Sequence, residues 1–69
     1  MRIYDFIEPE LDYFRRTCNF SDDELVYLNY KAQRYTNREI AIKLKVSEAT
    51  VSLIARRVRT KITKAQNLQ

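Results

Sequence analysis

The stretch TNREIAIKLKVSEATVSLI, residues 36–54, predicts two short helices joined by a tight turn. Thr36 and Ser47 each precede an apolar, helix-like run, and their hydroxyls are typical acceptors for the unpaired amides at a helix start. Glu39 stands three residues after Thr36 and completes a capping box, in which cap and carboxylate satisfy each other's backbone amides. The pattern predicts helices near residues 37–44 and 48–63.

A third helix start is predicted by the same kind of capping residues. Ser21 and Glu24 match the capping box and predict a helix near residues 22–33. At all three starts an apolar residue precedes the cap and another occupies the fourth helical position, as a hydrophobic staple requires. These pairs are Phe20 with Leu25, Tyr35 with Ile40, and Val46 with Val51.

An additional helix is expected near the N-terminus. Ile7, Leu11, Phe14 and Cys18 recur at helical spacing and predict one apolar stripe. Two starts are open: a cap within residues 5–8, or a start at Pro9 with the backbone angle favoured at a first helical position.

The predicted fold is all-α, a small bundle of three to four helices containing a helix-turn-helix, in one domain over residues 1–69. It divides into an N-terminal helix within residues 1–20, the helix-turn-helix unit at 21–63 and a tail at 64–69 that we expect to fray. Small size makes a homodimer an expectation. With one cysteine and no histidine, neither an intrachain disulfide nor a metal site or other cofactor is expected.

Charge divides the chain into two unlike halves. Residues 1–33 carry four basic and seven acidic side chains (−3), whereas residues 34–69 carry nine and two (+7). Such a basic half favours a polyanionic partner. No apolar segment reaches membrane-spanning length, so we expect a cytoplasmic protein without membrane contact.

The second helix of the unit should have one buried and one exposed side. Helical spacing predicts that its buried side packs against the first helix, with Ala41 where the two backbones approach. The residues expected on the buried side of the second helix are Val51, Ile54, Ala55, Val58 and Ile62. The apolar lock between the two helices is expected from Ile40, Leu44 and Val46 together with Val51 and Ile54.

The exposed side predicts binding of duplex DNA, because a helix of this kind enters the major groove with its N-terminal part. Base edges or nearby backbone would be met by Glu48, Ala49, Thr50, Ser52 and Leu53. A phosphate would lie at Thr36, Asn37 and Arg38, where free amides meet a helix dipole. Ser47 and Lys45 adjoin these groups. Arg56 and Arg57 would neutralise phosphates. The surrounding positive field would come from Lys43, Arg59, Lys61 and Lys64.

Residues 21–62 resemble the helix-turn-helix domain of the LuxR/GerE class and are also similar to region 4 of bacterial sigma factors. The resemblance is carried by Ser21 with Glu24, Leu28, Ala32, Thr36-Asn37-Arg38-Glu39-Ile40-Ala41, Leu44, Val46-Ser47, Thr50-Val51, Val58 and Lys61-Ile62. It implies backbone contacts at Thr36, Asn37 and Thr50, and base contacts at Ala49, Ser52 and Leu53. Ile54 replaces a histidine frequent in LuxR-type domains, which makes this position more similar to sigma factors.

The chain departs from that pattern in three places. Arg34 and Lys45 stand where glycines are common, and a left-handed backbone at either would cost on the order of 1 kcal/mol. The separate fourth helix through which LuxR-type domains often dimerise is absent, so the N-terminal helix is expected to supply packing or dimer surface.

The sequence thus predicts a small bacterial or phage transcription regulator that binds DNA sequence-specifically. The alternative is a protein-interaction module, such as an RNA polymerase-binding or sigma-like adaptor, with Leu53 and the acidic half as its contact surface. No catalytic residues are expected, because the chain lacks histidine, a glycine-rich phosphate loop and a nucleophile with its base.

Overall fold

The computed structural model describes residues 2–68, and within that range the protein is a small all-helical bundle without strands. This confirms the predicted all-α class and the small helical bundle. A short 3-10 helix at Ile3–Asp5 is followed by four α-helices, which are α1 (Glu8–Thr17), α2 (Asp22–Ala32), α3 (Asn37–Leu44) and α4 (Glu48–Asn67).

The three predicted helix caps are formed. Ser21 Oγ accepts a hydrogen bond from the Glu24 amide at 3.3 Å, and Glu24 Oε1 accepts one from the Ser21 amide at 2.9 Å. Thr36 and Glu39 make the same reciprocal pair at 3.1 and 2.9 Å. Ser47 caps α4 by accepting from the Thr50 amide at 3.1 Å. Local chemistry therefore fixes where α2, α3 and α4 begin.

Of the two starts left open for α1, the structure has the cap within residues 5–8. Ile7 is the N-cap residue, its amide donates to Glu10 Oε1 at 2.9 Å, and Pro9 lies in the first turn. The prediction that Ile7 joins the apolar stripe was wrong, because its side chain is 63% exposed. Its extended backbone takes the side chain out of the helical register, and Ile3 is buried in the core instead.

The core forms around the inner side of α4, which packs against α2, α3 and α1. All five residues predicted for that side of α4 are buried, together with Ile40 and Ala41 from α3. Val46 was expected in the same apolar lock but is 38% exposed, because the turn that carries it lies at the surface. The core contributed by the other helices consists of Leu11, Phe14, Cys18, Tyr27 and Leu28.

The last helix is longer than predicted. It continues past residue 63 to Asn67, so the expectation of a frayed tail was wrong for residues 64–67, and Gln69 lies outside the described residues. Ala65 continues the buried side of α4 at helical spacing after Ile62 and is itself buried. Even so, none of the helices within residues 2–68 is both long and apolar enough to cross a membrane.

Two connections use left-handed backbone without glycine. Arg34 has φ 70°, and Lys45 ends α3 with φ 59° and ψ 43°. After Lys45 the chain turns back on α3, where the Val46 amide donates to the Ala41 carbonyl oxygen at 3.0 Å. Residues with a Cβ pay about 1–2 kcal/mol for this conformation. The strain expected from the missing glycines is therefore present at both positions.

Candidate nucleic-acid interface

The outer side of α4 is open along its N-terminal half. Its inner side is anchored by Val51 and Val58, which are completely buried, so the helix is held rigidly against the bundle. The residues on the outer side between positions 48 and 57 are all exposed. They are Glu48, Ala49, Thr50, Ser52, Leu53, Arg56 and Arg57.

Two hydroxyls at the start of α4 are oriented by the cap itself. Ser47 Oγ lies 3.0 Å from Thr50 Oγ1 and accepts from the Thr50 amide at 3.1 Å. Only one of the two hydroxyl protons can lie between the oxygens, so the other can donate outward. The pair is therefore a fixed, exposed donor and acceptor beside the outer side of α4.

The start of α3 offers two backbone donors. The amides of Thr36 and Glu39 are used within the capping box. Those of Asn37 and Arg38 have no hydrogen-bond acceptor within residues 2–68, as is usual for a first helical turn. Hydrogen bonds with the backbone and side chain of Thr36 lower the pKa of Glu39, so its carboxylate is charged at neutral pH. That negative charge sits beside the same helix start and limits the phosphate affinity of this turn.

Asn37 is also held by a side chain that the sequence argument missed. Lys31 Nζ, at the end of α2, donates to Asn37 Oδ1 at 3.2 Å. Lys31 belongs to the acidic half of the chain, and its contact with α3 depends on the turn at Arg34. The only sequence signal for this contact is the position of Lys31 near the end of α2.

The basic residues of the candidate interface carry unpaired charge. Across the part of the chain that the structure describes, none of them makes a salt bridge. Arg56 and Arg57 lie on the outer side of α4, one of the others lies in the first turn of α3, and two lie at the end of α3 before the turn. These others are Arg38, Lys43 and Lys45, all of them exposed.

Lys61 does not belong to this positive field, contrary to expectation. Its ammonium donates to Glu24 Oε1 at 2.5 Å and to the Asn19 carbonyl oxygen at 2.6 Å. The charge is therefore paired with a buried carboxylate, although Lys61 itself remains partly exposed. Glu24 and Lys61 lie far apart in the sequence, so no local pattern could have paired them.

The sequence-predicted site residues lie at the start of α3, in the turn that follows it and along the first half of α4. All of them are exposed except Asn37, which is half-buried beneath Lys31. Comparisons with protein families, with curated proteins and with solved structures found no match to this chain. Its function must therefore be argued from this surface.

Proposed function

We propose that the protein binds duplex DNA sequence-specifically as a small bacterial or phage transcription regulator, with α3 and α4 acting as a helix-turn-helix. The observation that carries the proposal is the outer side of α4. A rigidly anchored helix there exposes small, hydroxyl and arginine side chains, with Glu48 as its one acidic residue. The motif resemblance to LuxR/GerE and sigma region 4 domains supports the same reading.

The residues near the start of α4 suit the major groove. That groove is about 12 Å wide and admits an α-helix. Ala49 and Ser52 are small enough to let the helix approach, and the Ser47 and Thr50 hydroxyls can bond to a base or a phosphate. Leu53, 51% exposed, offers an apolar contact for a thymine methyl group.

Phosphates would be held on either side of the groove. Arg56 and Arg57 approach one stretch of backbone from the middle of α4, and the amides of Asn37 and Arg38 approach another from α3. Lys43 and Lys45 add long-range attraction. Affinity in this arrangement comes mainly from the cations, and sequence preference from the first two turns of α4.

The test is duplex binding measured by fluorescence anisotropy over a range of salt concentrations. Arg56→Ala with Arg57→Ala should weaken binding to every duplex and flatten the dependence on salt, because fewer counterions are released. Arg16→Ala, which removes an exposed charge from α1, is the control and should change little. Absence of salt-sensitive duplex binding by the unaltered protein would refute the proposal.

Sequence readout needs a separate variant. Ser52→Ala should shift the preferred sequence in a random-duplex selection while leaving the salt dependence unchanged, since it removes no charge. An unchanged preference would assign the readout to other residues of the outer side.

Pairing of two protomers is part of the proposal, because helix-turn-helix proteins of this size commonly read two half-sites one helical turn apart. Sedimentation of the protein with and without a duplex measures it. A monomer at high concentration that also binds DNA as a monomer would remove this part and leave DNA binding intact.

One observation favours the second candidate, an RNA polymerase-binding or sigma-like adaptor. Ile42 on α3 is 70% exposed, and Val46 and Leu53 are also partly uncovered, so the segment from α3 to α4 carries exposed apolar groups that a protein partner would bury. Leu53→Ser separates the two functions. It should abolish binding to purified RNA polymerase if the adaptor role holds, whereas the salt dependence of duplex binding should remain.

A further inference from the structure

A small cavity opens between the N-terminal 3-10 helix, the end of α2 and the middle of α4. Its volume is about 200 Å³. Three cations reach it from three separate parts of the chain, namely Arg2, Lys31 and Arg59. The rest of the lining consists of Ile3, Tyr4 and Tyr27.

The described residues that line this cavity place no carboxylate beside the three cations. Within residues 2–68 none of the three cations makes a salt bridge. Arg34 contacts one lining residue, with its guanidinium 4.9 Å from the centre of the Tyr4 ring. Like charges gathered around one cavity repel each other, and an anion in the cavity would relieve that repulsion.

Tyr27 contributes a neutral donor to the same cavity. Its residue is only 1% exposed, yet its hydroxyl makes no hydrogen bond to any described part of the chain. Every fully buried side-chain oxygen or nitrogen atom among those residues has a hydrogen-bond partner. Because the Tyr27 hydroxyl has none, its oxygen atom is not fully buried and must contact accessible space, which the cavity provides. Burial raises the pKa of Tyr27 although the Arg59 charge opposes the rise, so the phenol keeps its proton at neutral pH.

The cavity adjoins the candidate nucleic-acid interface. Lys31 donates to Asn37 at the start of α3, at 3.2 Å. Arg59 follows Ser52 by seven residues, which brings it back to nearly the same side of α4 about 10 Å further along the helix. One wall of the cavity thus continues the line formed by Ser52 and Arg56.

We propose that this cavity binds a phosphate group of the DNA backbone, held by Arg2, Lys31 and Arg59 with the Tyr27 hydroxyl as an additional donor. A phosphodiester has only acceptor oxygens, and these four side chains offer donors to it. The inference rests on the proposed function and extends it, because the N-terminal segment then joins α3 and α4 in contacting DNA. A bound duplex would therefore be covered beyond the ends of the helix-turn-helix.

The experiment compares two variants with a matched control in duplex binding by fluorescence anisotropy. Arg2→Gln with Lys31→Gln removes two charges while position 31 keeps a side chain that can donate to Asn37, and Tyr27→Phe keeps the buried ring. Loss of one phosphate contact should reduce the magnitude of the salt slope by about 1 and weaken binding roughly tenfold at 0.1 M salt in the double variant. Tyr27→Phe should weaken binding without changing the slope. Arg16→Gln, remote from this lining, should bind as the unaltered protein does, and circular dichroism melting checks that each variant is folded.

The outcomes separate the two proposals. Normal duplex binding by the unaltered protein, combined with a double variant that has the same slope as Arg16→Gln, would overturn the cavity contact and leave DNA binding in place. Absence of any duplex binding by the unaltered protein would overturn both.

A second measurement distinguishes backbone phosphate from free phosphate. Inorganic phosphate is titrated while the NMR signals of the Tyr27 ring and the Arg59 side chain are followed. We expect these signals to shift with duplex and to respond to inorganic phosphate only at far higher concentration. Saturation by free phosphate at concentrations below those needed for duplex would assign the cavity to a small phosphate compound and overturn the backbone assignment.

Discussion

The ammonium of Lys61 on α4 lies 2.5 Å from Oε1 of Glu24 at the start of α2. The same carboxylate oxygen accepts the backbone amide of Ser21, and the same ammonium donates to the Asn19 carbonyl oxygen. A helix cap and a contact between distant helices therefore share one side chain. Glu24 is 4% exposed, so its charge depends on these partners in place of water.

Removal of that charge should destabilise the bundle. In Glu24→Gln the Lys61 ammonium loses its charged partner and the cap loses a charged acceptor. Because Lys61 remains partly in water, which limits the penalty, we expect the free energy of unfolding to fall by about 2 kcal/mol. Urea unfolding at pH 7 measures it. Glu24→Gln with Lys61→Met should recover part of the loss, because no charge is then left unpaired. A single variant as stable as the unaltered protein would contradict the role assigned to this pair.

The same pair predicts how stability depends on pH. Burial raises the pKa of Glu24, but hydrogen bonds from Lys61 and Ser21 outweigh it, so the pKa in the folded protein lies below the ordinary value. The unfolded chain then binds this proton more readily than the folded one, so the stabilisation is complete above the unfolded pKa and is lost as pH falls through the folded pKa.

Unfolding curves between pH 7 and pH 2 test this dependence. Glu39 also has a lowered pKa and contributes in the same direction, so the informative quantity is the difference between Glu24→Gln and the unaltered protein. That difference should shrink as the solution becomes more acidic. A difference that stays constant over the whole range would exclude titration of Glu24 as a source of acid sensitivity.

The helix starts could be predicted from sequence because a cap is decided by neighbours. Ser21, Thr36 and Ser47 find their acceptor and donor groups within three residues, and all three form as expected. The contacts that escaped prediction join distant parts of the chain. Lys61 with Glu24 and Lys31 with Asn37 both depend on how the helices pack, which no local spacing encodes.

Two errors at the chain ends have a different origin. Ile7 fits the apolar spacing of α1 but serves as its N-cap, where extended backbone breaks the helical register. Ala65 fits the apolar spacing of the buried side of α4 and is buried, so that spacing extends beyond the predicted end of the helix. Apolar spacing therefore holds through the end of α4 but fails at the N-cap of α1, where the backbone is extended.

Lys45→Gly should stabilise the protein. The left-handed backbone at Lys45 costs a residue with a Cβ about 1–2 kcal/mol, and glycine avoids this while losing about 0.5–1 kcal/mol to the freedom of the unfolded chain. We expect a net gain of about 0.5–1 kcal/mol in urea unfolding. Lys43→Gly, at a right-handed helical position in the last turn of α3, is the matched control and should destabilise, by at most about 1 kcal/mol. Equal losses from both variants would show that Lys45 is not strained. Arg34→Gly is a weaker test, since it also removes the contact with the Tyr4 ring.

The thiol of Cys18 should resist modification in the folded protein. Cys18 is buried, its Sγ donates to the Lys61 carbonyl oxygen at 3.4 Å, and burial raises its pKa although the Lys61 charge opposes this. Little thiolate is therefore present, and a reagent must wait for the helices to separate. Reaction with an aromatic disulfide at pH 8 should be at least about 100-fold slower than in denaturing urea. Because the Glu24 pair holds the same part of α4, Glu24→Gln should speed the reaction, whereas Lys45→Gly, which is expected to stabilise the protein, should not. Rapid labelling of the unaltered protein, at the rate seen in urea, would mean that α1 separates from α4 readily and that Cys18 is available for chemistry.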